Sequence, residues 1–452
     1  MKRRKFLKAV GTVAAGAVAF PYILPSGRLF AASGAQLAEH VVLVMFAGGV
    51  RQQESVLQSY LAQSQGMGTN YEGNILYNLL NGAPPTNKIV YGTDPPLQPA
   101  GSEPIPQLLS QTIESQGTFF PEVTFSKAGT GHYVGLSSVI SGSYGYGQGL
   151  RKRPIYPTIF EYARRHMGLP ATKTWMVGNG IGNSTPLLNC SSHADYGLEY
   201  GANFLAPNVT FSSDGEDHLA NAKVYHPDEE LAPMYEMKYF LDSTFSAQAG
   251  VIPGIHNTDD EKQLIKDFVK DMFALQQQGG VHFPPVTDSG DAATIGWACE
   301  VIKNFTPNLL VVNMSSIDGC HSSFTSYLRA MHRCDHAVGH LWNFIESAES
   351  GIAGNTIMLV QPEHGRSYAP NPILDQNDWK SFDHNSDDNA RRMFNLMVGP
   401  NVQAGQKIGS ETNPIGDATD LAPTIAEILG FKNDIINAGL IDVDAMSLFD
   451  RM

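Results

Sequence analysis

Six short runs of apolar, largely β-branched residues recur along this chain, and helical patterns separate them. The runs are Val41–Phe46, Glu122–Phe125, Thr174–Val177, Leu309–Asn313, Thr356–Val360 and Phe394–Val398. Helical spacing predicts Thr158–His166, Asp260–Gln277, Ala292–Asn304, Ser323–Ser347 and Ala422–Leu429. In Asp260–Gln277, one face collects Leu264, Ile265, Phe268, Met272 and Leu275. Strands alternating with helices are the signature of an α/β fold. The expected architecture is a three-layer sandwich around a mostly parallel central sheet. Two stretches, near 60–110 and 180–255, are irregular and polar, and read as insertions on the substrate side of the sheet.

The first 33 residues stand apart from this pattern. Arg3-Arg4-Lys5-Phe6-Leu7-Lys8 is a twin-arginine signal, followed by a Gly/Ala-rich apolar run from Ala9 to Leu24. That run falls short of the roughly 20 apolar residues a membrane span needs. Cleavage is expected near Ala31-Ala32-Ser33, leaving 34–452 as one α/β domain with its insertions. The twin-arginine translocase is then a partner during export, and the mature chain is periplasmic or extracellular. Chains on that route often fold, or take up a metal, before crossing.

No second segment is long and apolar enough to span a membrane, so the mature protein is expected not to cross one. The formal net charge of −14 argues against nucleic acid or an anionic membrane surface as a partner. Cys190, Cys299, Cys320 and Cys334 show no zinc-finger spacing. The periplasm permits one or two disulfides among them, with a pairing that the sequence does not reveal.

In open α/β sheets ligands collect beyond the carboxyl ends of the strands. Past the first run come Ala47-Gly48-Gly49-Val50-Arg51, and past the second come Thr130-Gly131-His132. Past the fourth come Asp318-Gly319-Cys320-His321, and past the fifth come Glu363-His364-Gly365-Arg366. Asp383-His384 precede the last run. Carboxylates and imidazoles thus recur at one edge. Asp318, His321, Glu363, His364 and His384 form an oxygen/nitrogen donor set without thiolate. That chemistry suits zinc, manganese or iron, with magnesium less favoured by the imidazoles. Arg51, His132 and Arg366 flank the set and are placed to hold an anionic ester, although a structural ion pair is an equally ordinary use for either arginine. His332, His336 and His340 recur every four residues and read as a polar helix face rather than as ligands.

With these segments in view the chain resembles the alkaline phosphatase superfamily, which includes phosphatases and sulfatases. The resemblance runs from about residue 40 to 430. It is carried by HVVLVMFAGGVR, GTGHYVGLSSVISG, LLVVNMSSIDGCHSSF, TIMLVQPEHGR, FDHNSDDNARRMFNLMVGP and DLAPTIAEILG, in that order. It implies an alkaline-phosphatase-like fold and a metal-dependent hydrolase of phosphate or sulfate esters. By position it implies Asp318, His321 and His384 at one metal, and Glu363 and His364 at a second, with Glu in place of the usual Asp. Thr130 matches the hydroxyl nucleophile between the metals, while Ser126 and Gly131-His132 compete for that place. Three departures stand out, one being a distance from Thr130 to Gly142 that exceeds the usual spacing. The carboxylate expected after the first strand is Ala47-Gly48, and the Asp-to-His spacing is three rather than four. The missing carboxylate leaves open a catalytically degenerate relative that binds a ligand or partner. The absence of a Cys-x-Pro-x-Arg or Ser-x-Pro-x-Arg pattern argues against a formylglycine sulfatase.

Overall fold

Each of the six apolar runs forms a strand of one sheet. The computed structural model describes residues 34–61, 71–85, 104–127, 129–145, 153–178, 188–211, 257–287, 289–385 and 387–452, with the backbone of short strands at 22–23 and 29–30. The twin-arginine motif and the cleavage region lie outside the described residues.

The sheet strands are β1 (His40–Phe46), β2 (Thr118–Thr124), β3 (Thr174–Gly178), β4 (Asn203–Leu205), β5 (Leu309–Met314), β6 (Thr356–Pro362), β7 (Arg392–Val398) and β8 (Gln406–Lys407). Their spatial order is β8-β2-β7-β6-β1-β5-β3-β4. All run in one direction except β7, which is antiparallel to both of its neighbours. Register aligns the strand ends. Phe46 lies opposite Met314 on one side and Pro362 on the other, so Ala47, Ser315 and Glu363 leave the sheet together. Because β7 is reversed, its first residue, Arg392, lies opposite Thr124 near the end of β2. The residues just before β7 therefore join the same edge.

Period-two alternation sends the central strands to two cores. Val42, Val44 and Phe46 pack with Val312 and Val360 against α3 (Asp259–Gln277), α4 (Gly290–Phe305) and α5 (Phe324–Ile345). Val41, Leu43 and Met45 pack with Val311 and Leu359 against α1 (His132–Ser141), α2 (Ile159–Met167) and α6 (Leu421–Ile428). The result is the three-layer sandwich that the strand–helix alternation predicts. Among the described residues no helix is long and apolar enough to cross a membrane.

Parts of the two irregular stretches are not surface decoration. Ile75, Leu76, Leu79, Leu80 and Leu109 are buried in the first core, and Ile105 is buried as well. The Asp335 carboxylate on α5 accepts the backbone N–H groups of Asn78 and Leu79 at 3.0 and 2.8 Å. His332 donates from Nδ1 to the Ile75 carbonyl and accepts the Ile105 N–H at Nε2, at 2.7 and 2.8 Å. The expected polar face on α5 is thus covered, and His332 and His336 fasten the covering chain. Within the second stretch, Asn203–Leu205 adds edge strand β4 beside β3. The four cysteines are buried free thiols, so the bridges that an oxidising compartment permits are not formed.

Arg51 departs from its expected role as well. It is fully buried, with its Nη2 at 2.5 Å and its Nε at 2.8 Å from the Glu54 carboxylate, and its guanidinium lies 3.7 Å from the Phe382 ring centre. A charge held this way inside the fold does not reach an ester. Removing one member of a buried pair leaves the other charge uncompensated.

Two sets of unfolding measurements check this packing. In urea titrations, Leu43→Ala should lower the unfolding free energy by about 2–5 kcal/mol. Val443→Ala, at a site 94% exposed, should shift it by less than about 0.5 kcal/mol. Arg51→Met should cost about 3–5 kcal/mol, and adding Glu54→Leu should recover most of the loss. A stable Arg51→Met protein with a weakened substrate KM would instead restore the anion-binding role.

Candidate metal centre

At the carboxyl edge of the sheet, two glycines let side chains from different strands meet. Gly48 has φ 109°, and a Cβ there would sit 2.8 Å from the Cα of Asp318. Gly49 has φ 78°, and its Cβ would meet Cε1 of His364 at 2.6 Å. Both positions exclude a side chain by conformation and by space. The Gly48 N–H donates to Oε1 of Glu363. The loop after β1 thus supplies backbone to the site, and Ala47 adds only a methyl group.

One group of donors combines Asp318, His321, His384 and His132, with ligand-capable atoms all within 4.8 Å of one another. Asp318 and His321 lie in a 3-10 turn, Ser316–His321. Such a turn has three residues per repeat, so a spacing of three puts both side chains on one side. The unusual Asp-to-His spacing therefore has a local geometric counterpart. Asp318 Oδ1 lies 3.2 Å from His321 Nε2, 3.3 Å from His132 Nε2 and 2.8 Å from Arg366 Nη2. His321 turns its Nδ1 to Asp383 Oδ1 at 2.6 Å, which leaves Nε2 facing Asp318. The His384 ring centre is 4.8 Å from those of His321 and His132, and 4.4 Å from that of His364.

A second group combines His132, Glu363 and His364, again within 4.8 Å. Glu363 and His364 are fully buried. Glu363 Oε1 lies 2.6 Å from His132 Nδ1 and 3.3 Å from His364 Nε2. His364 Nδ1 donates to the Gly365 carbonyl at 2.7 Å, so its Nε2 is the nitrogen with a free lone pair. The two groups share His132, the first residue of α1. Helix α1 lies close over β6, and a Cβ on Gly135 would approach the Glu363 carbonyl oxygen to 2.8 Å.

The carboxylates and His384 are poised for a cation, whereas His132 would have to give up a proton to join them. Burial pushes the Glu363 carboxyl up, but His364 and His132 outweigh it and bring it to about 2. Burial likewise raises Asp318, and His132, His321 and Arg366 overcome it, holding that carboxyl well below the usual range. Burial, then the neighbouring His364, His132 and Arg366, drives His384 down to about 2, so its imidazole is neutral. His132 is the reverse case. Burial lowers it, yet Glu363 and Asp318 carry it up to about 10.

Ionised carboxylates beside a neutral imidazole are the protonation states that metal binding requires. Three buried atoms give a further test of fit. Glu363 Oε2, His364 Nε2 and His384 Nδ1 have no hydrogen-bond partner. Each unpaired buried polar group costs on the order of 1–3 kcal/mol, and one divalent cation beside each group would satisfy them. The residues present fit a metal.

The remaining expected site residues are placed differently. The Thr130 hydroxyl donates to the main-chain carbonyl of His384, so it is turned to the backbone. Arg366 is fully buried, with Nε on the Gly49 carbonyl at 3.1 Å, Nη1 on the Phe382 carbonyl at 2.8 Å and Nη2 on Asp318. All three of its nitrogens bond within the fold, and one of them orients Asp318. His132, expected beside the substrate, sits between the two carboxylates instead. Three residues outside the expected set also support the site. Asp383 holds His321, and Asn371 Nδ2 donates to Asp383 Oδ1 and to the His321 carbonyl at 3.2 and 3.0 Å. Asp291, at the start of α4, accepts the N–H groups of Ser315 and Ser316 at 2.9 and 2.8 Å and fixes the turn bearing Asp318. Adjacency to His384 was a signal for Asp383. Nothing in the sequence pointed to Asn371 or Asp291.

No protein-family model matches the chain, and no curated protein matches it in sequence. Solved structures similar to it include PsFucS1 sulfatase from Pseudoalteromonas sp., at 11% identity over 91% of this chain and 73% of that one, with a TM-score of 0.43. A mutant of TAB5 alkaline phosphatase with magnesium bound is similar at 14% identity over 87% and 98%, with a TM-score of 0.41. A Vibrio parahaemolyticus protein described as belonging to the alkaline phosphatase superfamily is similar at 12% identity over 95% and 76%, with a TM-score of 0.37. At these identities and scores any functional reading rests on this chain's own side chains. The chain is similar in structure to members of the alkaline phosphatase superfamily.

Proposed function

We propose that this chain is a metal-dependent hydrolase of phosphate or sulfate esters, exported by the twin-arginine translocase to the periplasm or beyond. The carrying observation is the convergence of Asp318, His321 and His384 beside Glu363 and His364, with three buried ligand atoms left unpartnered. Asp318, His321 and His384 would hold one cation, and Glu363 and His364 would hold another. The oxygen/nitrogen donor set favours zinc, with manganese, iron or magnesium as alternatives. When bound, a divalent cation there supplies positive charge to the ester oxygens and to the charge that develops on them.

The chain's own residues give that charge its setting. Asp383 fixes the His321 ring and its tautomer, and Arg366 fixes Asp318. Helix α1 begins at His132, within the cluster, and a helix N-terminus favours an anionic oxygen. Glu363 and His364 are fully buried, so the charge on that side is held in a low-dielectric setting, while Asp318 and His321 are partly open to solvent. Thr130, tied to the His384 carbonyl, positions that histidine in this arrangement. Attack by its hydroxyl requires that bond to break first.

A second reading, a catalytically degenerate relative that binds a ligand or partner, is favoured by Ala47 where the resemblance implies a carboxylate. Purified protein supplied with zinc, manganese or magnesium separates the two on aryl phosphate, phosphodiester and aryl sulfate substrates. Turnover that is abolished by a chelator and restored by metal is the expected result. Bound metal without turnover would leave the binding reading standing, and neither metal nor turnover would end the hydrolase reading. Asp383→Asn should weaken metal affinity by about 10–100-fold while leaving the fold intact, as a lost outer partner does elsewhere. Thr130→Ala should retain measurable turnover if Thr130 only positions His384, and should lose it if its hydroxyl attacks.

A further inference from the structure

Glu363 and His364 make only two donors, whereas catalytic zinc sites are built from three protein ligands and an open position. We propose that His132 supplies the third donor of this centre, in place of the carboxylate absent at position 47. The inference rests on the metal reading above and concerns which residue completes it.

Three observations carry it. His132 Nδ1 is 2.6 Å from Glu363 Oε1 and lies within 4.8 Å of the ligand atom of His364. Its other nitrogen faces Asp318 Oδ1 at 3.3 Å, and a ligating histidine characteristically gives its second ring N–H to a carboxylate. A structural ion pair alone would explain Glu363 Oε1, but it leaves Glu363 Oε2 and His364 Nε2 buried without a hydrogen bond. A cation beside all three residues satisfies both atoms.

The scaffold delivers His132 firmly. It is the first residue of α1, and every later residue of that helix is buried. Gly135, one turn on, lets the helix approach the end of β6 closely. With His132 included, each centre is built from two imidazoles and one carboxylate: His321, His384 and Asp318 on one side, His132, His364 and Glu363 on the other.

Zinc stoichiometry and cobalt absorption of the full-length folded protein test the assignment. After loading with zinc and dialysis, elemental analysis should find about two ions per chain in the wild type and about one in His132→Ala. His384→Ala should weaken the other ion instead, and Ala47→Asp combined with His132→Ala should restore the second. His132→Cys, read with cobalt(II), gives a signal independent of stoichiometry. Because Cys320 and three other free thiols are already present, the diagnostic signal is a sulfur-to-cobalt charge-transfer band that appears in His132→Cys and is absent from the wild type, and that is the expected result. Cobalt binding without the band, or two zinc ions held with unchanged affinity in His132→Ala, overturns the role of His132 and leaves the metal reading intact. A wild type that holds no metal overturns both.

Discussion

Two carboxylates at the carboxyl edge of the sheet, Glu363 and Asp318, face one imidazole from either side, and the rest of the site is arranged around that contact. Glu363 is fully buried, and its charge is costly there unless something positive lies beside it. His132 lies between them, and Arg366 approaches Asp318 from behind at 2.8 Å. The glycines after β1 make room for Asp318 and His364. Helix α1 brings His132, and the reversed strand β7 brings Asp383 and His384 to the same edge.

This dependence explains why two expected anion-binding arginines are not free. Arg51 neutralises Glu54 inside the fold, and Arg366 holds Asp318 while its other nitrogens bind the Gly49 and Phe382 carbonyls. Guanidinium groups in buried positions are used to fix geometry here. Positive charge for an anionic ester must come from elsewhere, which is the part a cation between Asp318 and Glu363 would play.

Much of this was legible in the sequence because it follows from composition and simple spacing. Buried strands announce themselves as β-branched runs, and the strand-end rule grouped Asp318, His321, Glu363, His364 and His384 before any coordinates. Helix α1 was not legible. Its sequence, HYVGLSSVIS, mixes Gly and Ser with apolar residues and is buried on almost every side, so it has no amphipathic period. Consequently His132 could be placed near the site but not between its carboxylates. The chain near residues 75–80 read as loop because its order comes from Asp335 and His332, more than 250 positions away. Asn371 and Asp291 act through hydrogen bonds that only the fold brings about. The spacing of three between Asp318 and His321 looked like a defect until the 3-10 turn gave it a geometry.

The claim at the centre of this account is that the edge cluster is a metal site. Anomalous X-ray diffraction from crystals grown with zinc, collected on both sides of the zinc absorption edge, tests it directly. The expected result is one anomalous peak beside Asp318, His321 and His384 and a second beside Glu363, His364 and His132. Crystals soaked in zinc that show no peak among these residues, with His132 still bridging the two carboxylates, would contradict it.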